Sequence, residues 1–323
     1  MGLKTITIRF ITALILAASS GIASAADFPT RTVTVIVPFG PGGPGDALLR
    51  VLAERLRQKW KQPVIVEYKP GAGGLIAHEF VAKSPPDGHT LLQASTAFTV
   101  FNLLNKSLRF DPLKDLTIVA PYGLTAIAYV TNRDTPAKDM AEWVALAKAN
   151  PGKISYGSLS RGVVMLSMEL LSRQLDVKLT EIPYKNQADM VLAVMKGEIQ
   201  LALVPAAQAK DLRDQGYVKP LFVVADRRIA DLPGTPTAAE VGLPDFRPLI
   251  WQSIMAPAQT SRDVVDKISA DVAEVAADPE FVSIAAKIGM LPFSRSRAEM
   301  RKLTDEQVAT WTSITRELNI KPE

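Results

Sequence analysis

Two glycine-rich loops carry the residue types and spacing best suited to binding a small molecule. The first is Gly40-Pro41-Gly42-Gly43-Pro44-Gly45-Asp46, and the second is Gly71-Ala72-Gly73-Gly74. Each follows an apolar segment and precedes a segment with helical periodicity, so its backbone amides lie at the start of a helix. Such amides bind anions, and glycines leave them unobstructed. The loops therefore predict a site for an anion such as a carboxylate.

The first loop leaves a second interpretation open, an oxidoreductase that binds a dinucleotide. Gly40, Gly42 and Gly45 have the spacing of the dinucleotide fingerprint. Glu67 follows 22 residues after Gly45, at the end of the next predicted strand, where an acidic residue would bind a ribose. Short patterns of this kind recur by chance. The dinucleotide hypothesis also does not require the second glycine loop.

The chain contains few residues that could support catalysis. The segment His78-Glu79 begins like a zinc-protease motif, but Ala82 stands where the second histidine is needed. The other histidine, His89, lies in a predicted turn, and the segment 158–162 lacks the first glycine of a nucleophile elbow. There is no cysteine, which excludes a thiol nucleophile, a disulfide and a thiolate metal site. We expect a protein without enzymatic activity, metal or cofactor.

Strands and helices alternate along the part of the chain that must position these loops. Apolar, β-branched segments predict strands at 32–39, 63–68, 90–94, 118–122, 126–130, 154–156, 179–184 and 199–204. Helical periodicity predicts helices at 47–60, 75–83, 140–149, 163–175 and 189–196. Alternation of this kind favours parallel sheets with helices on both faces.

The first 25 residues predict the compartment. Lys4 and Arg9 are the only charges before Asp27, a short apolar run covers 10–18, and Ala23-Ser24-Ala25 supplies small residues. This pattern is typical of a secretory signal peptide cleaved after Ala25, and its apolar run is too short to span a bilayer. We expect a periplasmic protein, which has little access to a nicotinamide pool.

The mature chain is long enough for two domains. Removal of 25 of the 323 residues leaves 298, which exceeds what one core usually organises. We expect a first domain of residues 26–125 plus 249–323 and a second of 126–248, with a ligand cleft between them. Without the two signal-peptide cations, 35 basic residues face 33 acidic ones. This near balance predicts no nucleic-acid partner, and we expect a monomer.

Several segments occur in the order typical of one family. Residues 38–46 have the form P-F-x-x-G-G-x-x-D, residues 66–74 the form V-E-x-x-P-G-A-G-G, and residues 86–92 the form P-D-G-x-T-L-L. With further matches at 149–153, 182–185, 236–244 and 251–257, the chain resembles the Bug/TctC substrate-binding proteins of tripartite tricarboxylate transporters. This resemblance implies a type II-like periplasmic-binding-protein fold of two doubly wound α/β domains. It also implies a small carboxylate ligand, no cofactor, and the transporter's membrane subunits as partners.

The resemblance and the loop positions together give a set of candidate ligand-binding residues. They are Phe39, Gly42, Gly43, Asp46, Gly71, Ala72, Gly73, Gly74, Ser95, Thr96, Ser158, Arg161, Tyr184 and Asn186. Asp46 is expected either to cap the following helix or to orient a bridging water or a ligand ammonium. The far wall departs from the family, since Arg161 stands among residues where small polar donors are usual, and Asn186 replaces a glycine. Arg161 is either an exposed loop residue or a bidentate clamp for a second carboxylate.

Overall fold

A computed structural model describes residues 28–158, 162–184 and 186–322, and the predicted signal peptide lies outside these residues. The first of two sheets contains six strands in this part of the chain. In chain order they are β1 (Val33–Val37), β2 (Val64–Tyr68), β3 (Thr90–Ser95), β4 (Leu116–Thr125), β10 (Ile250–Pro257) and β11 (Met290–Leu291). Their spatial order is β11-β4-β10-β3-β1-β2.

The second sheet is formed by five strands of the described residues. They are β5 (Ile127–Asn132), β6 (Ile154–Ser158), β7 (Leu179–Pro183), β8 (Leu201–Pro205) and β9 (Val218–Val224). Their spatial order is β7-β6-β8-β5-β9. The chain passes from the first sheet to the second between β4 and β5, and returns between β9 and β10.

The sheets are mixed rather than parallel, which corrects the sequence-based expectation. Strands β1, β2 and β3 are parallel, as are β6, β7 and β8. However, β10 runs antiparallel to β3 and β4, and β5 runs antiparallel to β8 and β9. These two strands enter their sheet directly from the other sheet. They therefore do not arrive through the helical crossover that makes neighbouring strands parallel.

Helices cover the sheets. Those in the described residues are α1 (Pro44–Trp60), α2 (Leu75–Ala82), α3 (Phe101–Leu104), α4 (Met140–Ala149), α5 (Val163–Gln174), α6 (Gln187–Lys196), α7 (Ala206–Asp214), α8 (Arg262–Ala277), α9 (Pro279–Lys287) and α10 (Arg297–Glu317). Short 3₁₀ turns cover Ala72–Gly74, Thr96–Val100 and Ala239–Val241. None of the helices in the described residues is both long and apolar enough to cross a membrane.

Helix α1 illustrates how sequence positions the first glycine loop. Leu48, Leu52 and Leu56 follow helical spacing and are almost completely buried. Each stabilises the docked helix by about 1.5–3 kcal/mol relative to an exposed side chain. Pro44 is the first helical residue, a position where its missing N–H and fixed φ are favourable. The helix therefore begins within the loop, three residues before the predicted start at 47.

The last helix contributes to buried clusters of both sheet units. Near the start of α10, Met300 packs in a buried cluster with Trp251 of the first sheet. Towards its end, Trp311 packs in the cluster that contains Tyr129 and Trp143 of the second sheet unit. The expected division into residues 26–125 plus 249–323 and residues 126–248 stays a prediction about where the domains separate.

Candidate functional site

The first glycine loop is held by the carboxylate of Asp46. Its Oδ2 accepts hydrogen bonds from the Gly42 amide at 3.0 Å and from Arg50 Nε at 3.3 Å. Its Oδ1 accepts a hydrogen bond from the Tyr68 hydroxyl at 2.6 Å. Burial opposes ionisation of this carboxyl group, but these hydrogen bonds outweigh burial and keep its pKa below the ordinary value. Asp46 is therefore ionised and held in place by three hydrogen bonds within the protein.

This arrangement changes two expectations for the loop. The residue that caps α1 is Gly43, because Pro44 starts the helix, so the prediction that Asp46 occupies the cap position is wrong. Asp46 instead reaches back from the third helical position to the Gly42 amide. That amide is thus engaged inside the protein. The amide of Gly43 has no acceptor among the described residues, and the space beside its α-carbon is open.

The second glycine loop forms a 3₁₀ turn that leads directly into α2. The Gly74 amide donates to the Gly71 carbonyl at 2.9 Å, which closes the turn. Gly73 has a φ of 64° and Gly74 a φ of 101°, backbone conformations that favour glycine. The amides of Ala72 and Gly73 come first in the turn, and no described residue accepts a hydrogen bond from them. Nothing lies within 4 Å of a Cβ built on Gly73, so the space beside this residue is open.

A buried histidine supports the second loop. His78 is 2% exposed, and its Nδ1 lies 2.8 Å from the Gly74 carbonyl oxygen, so this nitrogen carries the proton and donates. The ring meets Phe101 edge-on, with centroids 4.9 Å apart. Burial lowers the pKa of His78 to about 4, although the hydrogen bond to Gly74 opposes this shift. His78 is therefore a neutral loop support, a role that its resemblance to a metal motif did not indicate.

The second glycine loop borders a cavity of about 480 Å³, and no residue of the first glycine loop lines this cavity. A Cβ built on Gly74 would lie 3.2 Å from Pro38 Cβ and 3.6 Å from Phe39 Cζ, so the second loop packs against the residues that precede the first loop. The predicted site residues that line the cavity are Phe39, Ala72, Gly73, Ser95 and Thr96. The opposite wall is Gly162, Val163 and Val164 at the N-terminus of α5. Both sheet units thus contribute to the cavity, each with the start of a helix.

Two hydroxyl side chains in the cavity differ in their ability to form a hydrogen bond with a ligand. The Thr96 hydroxyl donates to the Leu249 carbonyl at 2.9 Å and accepts from the Trp251 amide at 3.0 Å, so it is engaged inside the protein. The Ser95 hydroxyl accepts from the Ala97 amide at 3.4 Å. Its proton has no acceptor among the described residues and is available to a ligand. The Ser95 hydroxyl and the amides of Ala72 and Gly73 are free donors among the described residues that line this cavity.

Three predicted residues of the second sheet unit are used elsewhere and do not line the cavity. Ser158 is fully buried and donates to Glu181. The Tyr184 amide donates to the Ser158 carbonyl at 2.9 Å, and burial, with the charge of Glu198, raises the pKa of the Tyr184 hydroxyl. Asn186 caps α6, its Oδ1 accepting from the Asp189 amide at 2.9 Å. Arg161, the fourth predicted residue of this wall, lies outside the described residues.

Most of the cavity wall comes from residues that the sequence reasoning did not identify. Val100, Phe101, Leu104 and Asn105 follow β3 and line the cavity together with Leu75 and Ile250. The sequence feature that could have indicated these residues is the mostly apolar segment 97–104, which directly follows a predicted strand and the candidate residues Ser95 and Thr96. In sequence such a run is typical of a buried core. Only the structure distinguishes a lining segment from a core segment here.

The dinucleotide interpretation gains little from this geometry. The Glu67 carboxylate, which would bind a ribose hydroxyl in this interpretation, instead forms an ion pair with Lys69 at 2.6 Å. A Cβ on Gly45 would lie 2.9 Å from the Gln252 side chain, so this glycine accommodates protein packing. No group of three or more potential metal ligands occurs within the described residues.

Other cavities in the described residues lack both glycine loops. A groove of about 720 Å³ is lined by Arg227, Arg228 and Arg295, near the segments that connect the sheets. A cavity of about 430 Å³ is lined by Lys114 and Arg301, between β4 and α10. Size alone would favour the larger groove. The free amides of Ala72 and Gly73 at the start of a helix distinguish the cavity beside the second glycine loop, and this cavity is the candidate site.

Comparison with known proteins gives the relationship directly. The family model described as the tripartite tricarboxylate transporter family receptor matches residues 48–320. The chain belongs to this family. A UPF0065 protein of Bordetella pertussis is 33% identical over 313 residues, which cover 96% of each chain. The sequence-based family assignment is therefore confirmed.

Solved structures of family relatives share the fold. A periplasmic transporter is 32% identical with a TM-score of 0.75, covering 91% of this chain and 99% of the other. Rpa4515 of R. palustris with adipate is 28% identical with a TM-score of 0.77, covering 92% and 100%. MatC of Rhodopseudomonas palustris with bound malate is 28% identical with a TM-score of 0.72, covering 89% and 99%. The predicted two-domain α/β binding-protein fold is confirmed.

Proposed function

We propose that this receptor-family chain captures a small organic carboxylate in the periplasm and presents it to the membrane subunits of a tripartite tricarboxylate transporter. One observation carries the proposal: the unpaired amides of Ala72 and Gly73 open into a cavity of about 480 Å³. Amides at the start of a helix favour a negatively charged ligand through their hydrogen bonds and the helix dipole. The adipate and malate bound to the two relatives support a carboxylate.

In this proposal one carboxylate group sits on the second glycine loop. Ala72 and Gly73 donate their amides to it, and the Ser95 hydroxyl adds a third donor. Hydrogen bonds to a charged group contribute about 1.5–3 kcal/mol each. The Gly43 amide of the first loop is a further donor for a bridging water, which contributes almost as well as a direct contact. Asp46 supports the first loop, and His78 supports the second.

The opposite wall provides the reason for a two-domain receptor. Gly162 and Val163, at the start of α5 in the second sheet unit, line the same cavity as the second glycine loop of the first unit. A ligand that contacts both walls stabilises the closed arrangement of the domains by its differential affinity for that arrangement. Residues 26–125 plus 249–323 and 126–248 are the proposed moving bodies, with α10 packed against both cores.

Binding rather than catalysis is the proposed use of the cavity. Ser95 is the described lining residue best placed as a nucleophile, and no histidine or carboxylate accepts its proton. Export through the predicted signal peptide at 1–25, cleavage after Ala25 and a monomeric state complete the proposal. Each of these rests on the sequence pattern described above.

A ligand screen tests the proposal. Mature protein, dialysed and treated with a chelator, is screened by thermal shift against organic acids, amino acids and NAD, followed by calorimetry of the hits. We expect carboxylates to raise the melting temperature, since a ligand at 100 times its Kd stabilises by about 2.7 kcal/mol. Binding of NAD in place of carboxylates, or loss of carboxylate binding on chelation, would contradict the proposal and favour the dinucleotide or a metal site.

A further inference from the structure

The wall of the candidate cavity is apolar beyond the carboxylate donors. Val100, Phe101 and Leu104 form one side, and Val163 and Val164 form another. No aspartate, glutamate, lysine, arginine or histidine occurs among the described residues that line the cavity. Below the glycine loops, the space available to the body of a ligand is therefore bounded mainly by hydrocarbon.

The few polar side chains in this wall are largely engaged with the protein. The Thr96 hydroxyl both donates and accepts hydrogen bonds internally. The Asn105 side-chain amide donates one N–H to the Phe101 carbonyl at 2.9 Å, which leaves its second N–H and its Oδ1 without a partner among the described residues. A ligand with several hydroxyl groups, or with an ammonium group, would bury more polar atoms than the Ser95 and Asn105 side chains can pair. That loss is comparable to the whole contribution of a hydrogen bond.

From this lining we infer the class of ligand: a carboxylate with an apolar carbon body, aliphatic or aromatic, without hydroxyl or amino substituents. The inference rests on the carboxylate-receptor function proposed above and specifies its ligand. Each further methylene buried in such a wall strengthens binding by about fourfold, until the cavity is filled. Each hydroxyl or ammonium group without a partner weakens binding by roughly 10- to 100-fold.

Matched pairs of acids test the inference by calorimetry at pH 7. Succinate is compared with malate, and glutarate with glutamate, because each pair differs by one polar substituent. Butyrate, hexanoate and benzoate complete the set. We expect the apolar member of each pair to bind about tenfold or more tightly, and hexanoate to bind more tightly than butyrate. Equal or tighter binding of malate and glutamate would overturn the apolar-body inference while supporting the carboxylate receptor. No binding of any of these acids would overturn both.

A substitution in the wall gives an independent readout. Val164→Thr keeps the side-chain volume and adds a hydroxyl to the cavity, so the preference for succinate over malate should fall severalfold. Val144→Thr is the matched control, since Val144 is a half-buried helical valine of the same sheet unit outside the cavity. Circular dichroism verifies folding of both variants. An unchanged succinate-to-malate ratio in folded Val164→Thr would show that this wall does not contact the ligand body, and would overturn the inference.

Discussion

Replacing Gly73 by valine removes the proposed carboxylate contact with little disturbance elsewhere. A Cβ at this position meets nothing within 4 Å, so valine places its methyl groups in the open space that the free amides face. Loss of two charge-assisted hydrogen bonds costs about 3–6 kcal/mol, taking about 1.5–3 kcal/mol for each. A ligand with a micromolar Kd binds with about 8 kcal/mol, so the Kd should rise roughly 10²- to 10⁴-fold.

The control for this variant must share its backbone strain. Gly73 has a φ of 64°, where a β-branched residue costs about 1–3 kcal/mol of stability. Gly216 has a φ of 77° and also open space around it, but it lies outside the cavity. Gly216→Val should therefore lose similar stability and keep ligand affinity. Titration calorimetry measures the Kd of both variants, and circular dichroism verifies folding. A folded Gly73→Val protein with the wild-type Kd would mean that the ligand does not contact this loop.

Three further predictions concern closure, protonation and the far wall. Small-angle scattering should give a smaller radius of gyration at saturating ligand than without it, and an unchanged profile would indicate a rigid module. Unfolded histidine binds a proton below about pH 6.5, whereas buried His78 stays neutral down to about pH 4, so stability should fall as pH falls between these values. His78→Asn should reduce this slope by about 1 kcal/mol per pH unit between pH 6 and 5, and denaturant titrations with the same slope for both proteins would refute the assignment. If Arg161 is a clamp, Arg161→Ala should weaken the binding of dicarboxylates and leave the binding of monocarboxylates unchanged, as measured by calorimetry. If the variant binds both classes with wild-type affinity, Arg161 is an exposed loop residue.

Local patterns predicted the elements around the glycine loops well. The leucines of α1 and the β-branched residues of β1 have periodicities that depend only on which side chains are buried. The start of α1 was placed three residues late, because the apolar period begins after the proline that initiates the helix. That error made Asp46 a candidate for the cap, whereas Gly43 occupies this position and Asp46 reaches back from within the helix.

Long-range features were beyond these patterns. The composition of strands β5 and β10 is that of buried strands and does not distinguish a parallel from an antiparallel direction. Their antiparallel direction follows from the passage of the chain between the two sheets. The hydrogen-bond partners of polar side chains also depend on residues that are distant in sequence. Ser158 was a reasonable donor by position, yet the neighbouring strand offers it Glu181. Asn186 was expected to contact a ligand, and in the structure its side chain caps α6.

In the proposed site, the glycine motif and the residues that would determine ligand specificity are different parts of the cavity. The proposed carboxylate donors at Ala72 and Gly73 are main-chain amides, so the second loop needs only the glycines that permit its turn and the His78 side chain that supports it. The proposed ligand body is instead bounded by side chains that no glycine motif constrains, among them Val100, Phe101 and Val164. Substitutions there change the wall without moving the amides. A receptor built this way can acquire a new ligand through a few apolar-to-polar changes, while its binding of the carboxylate group is retained.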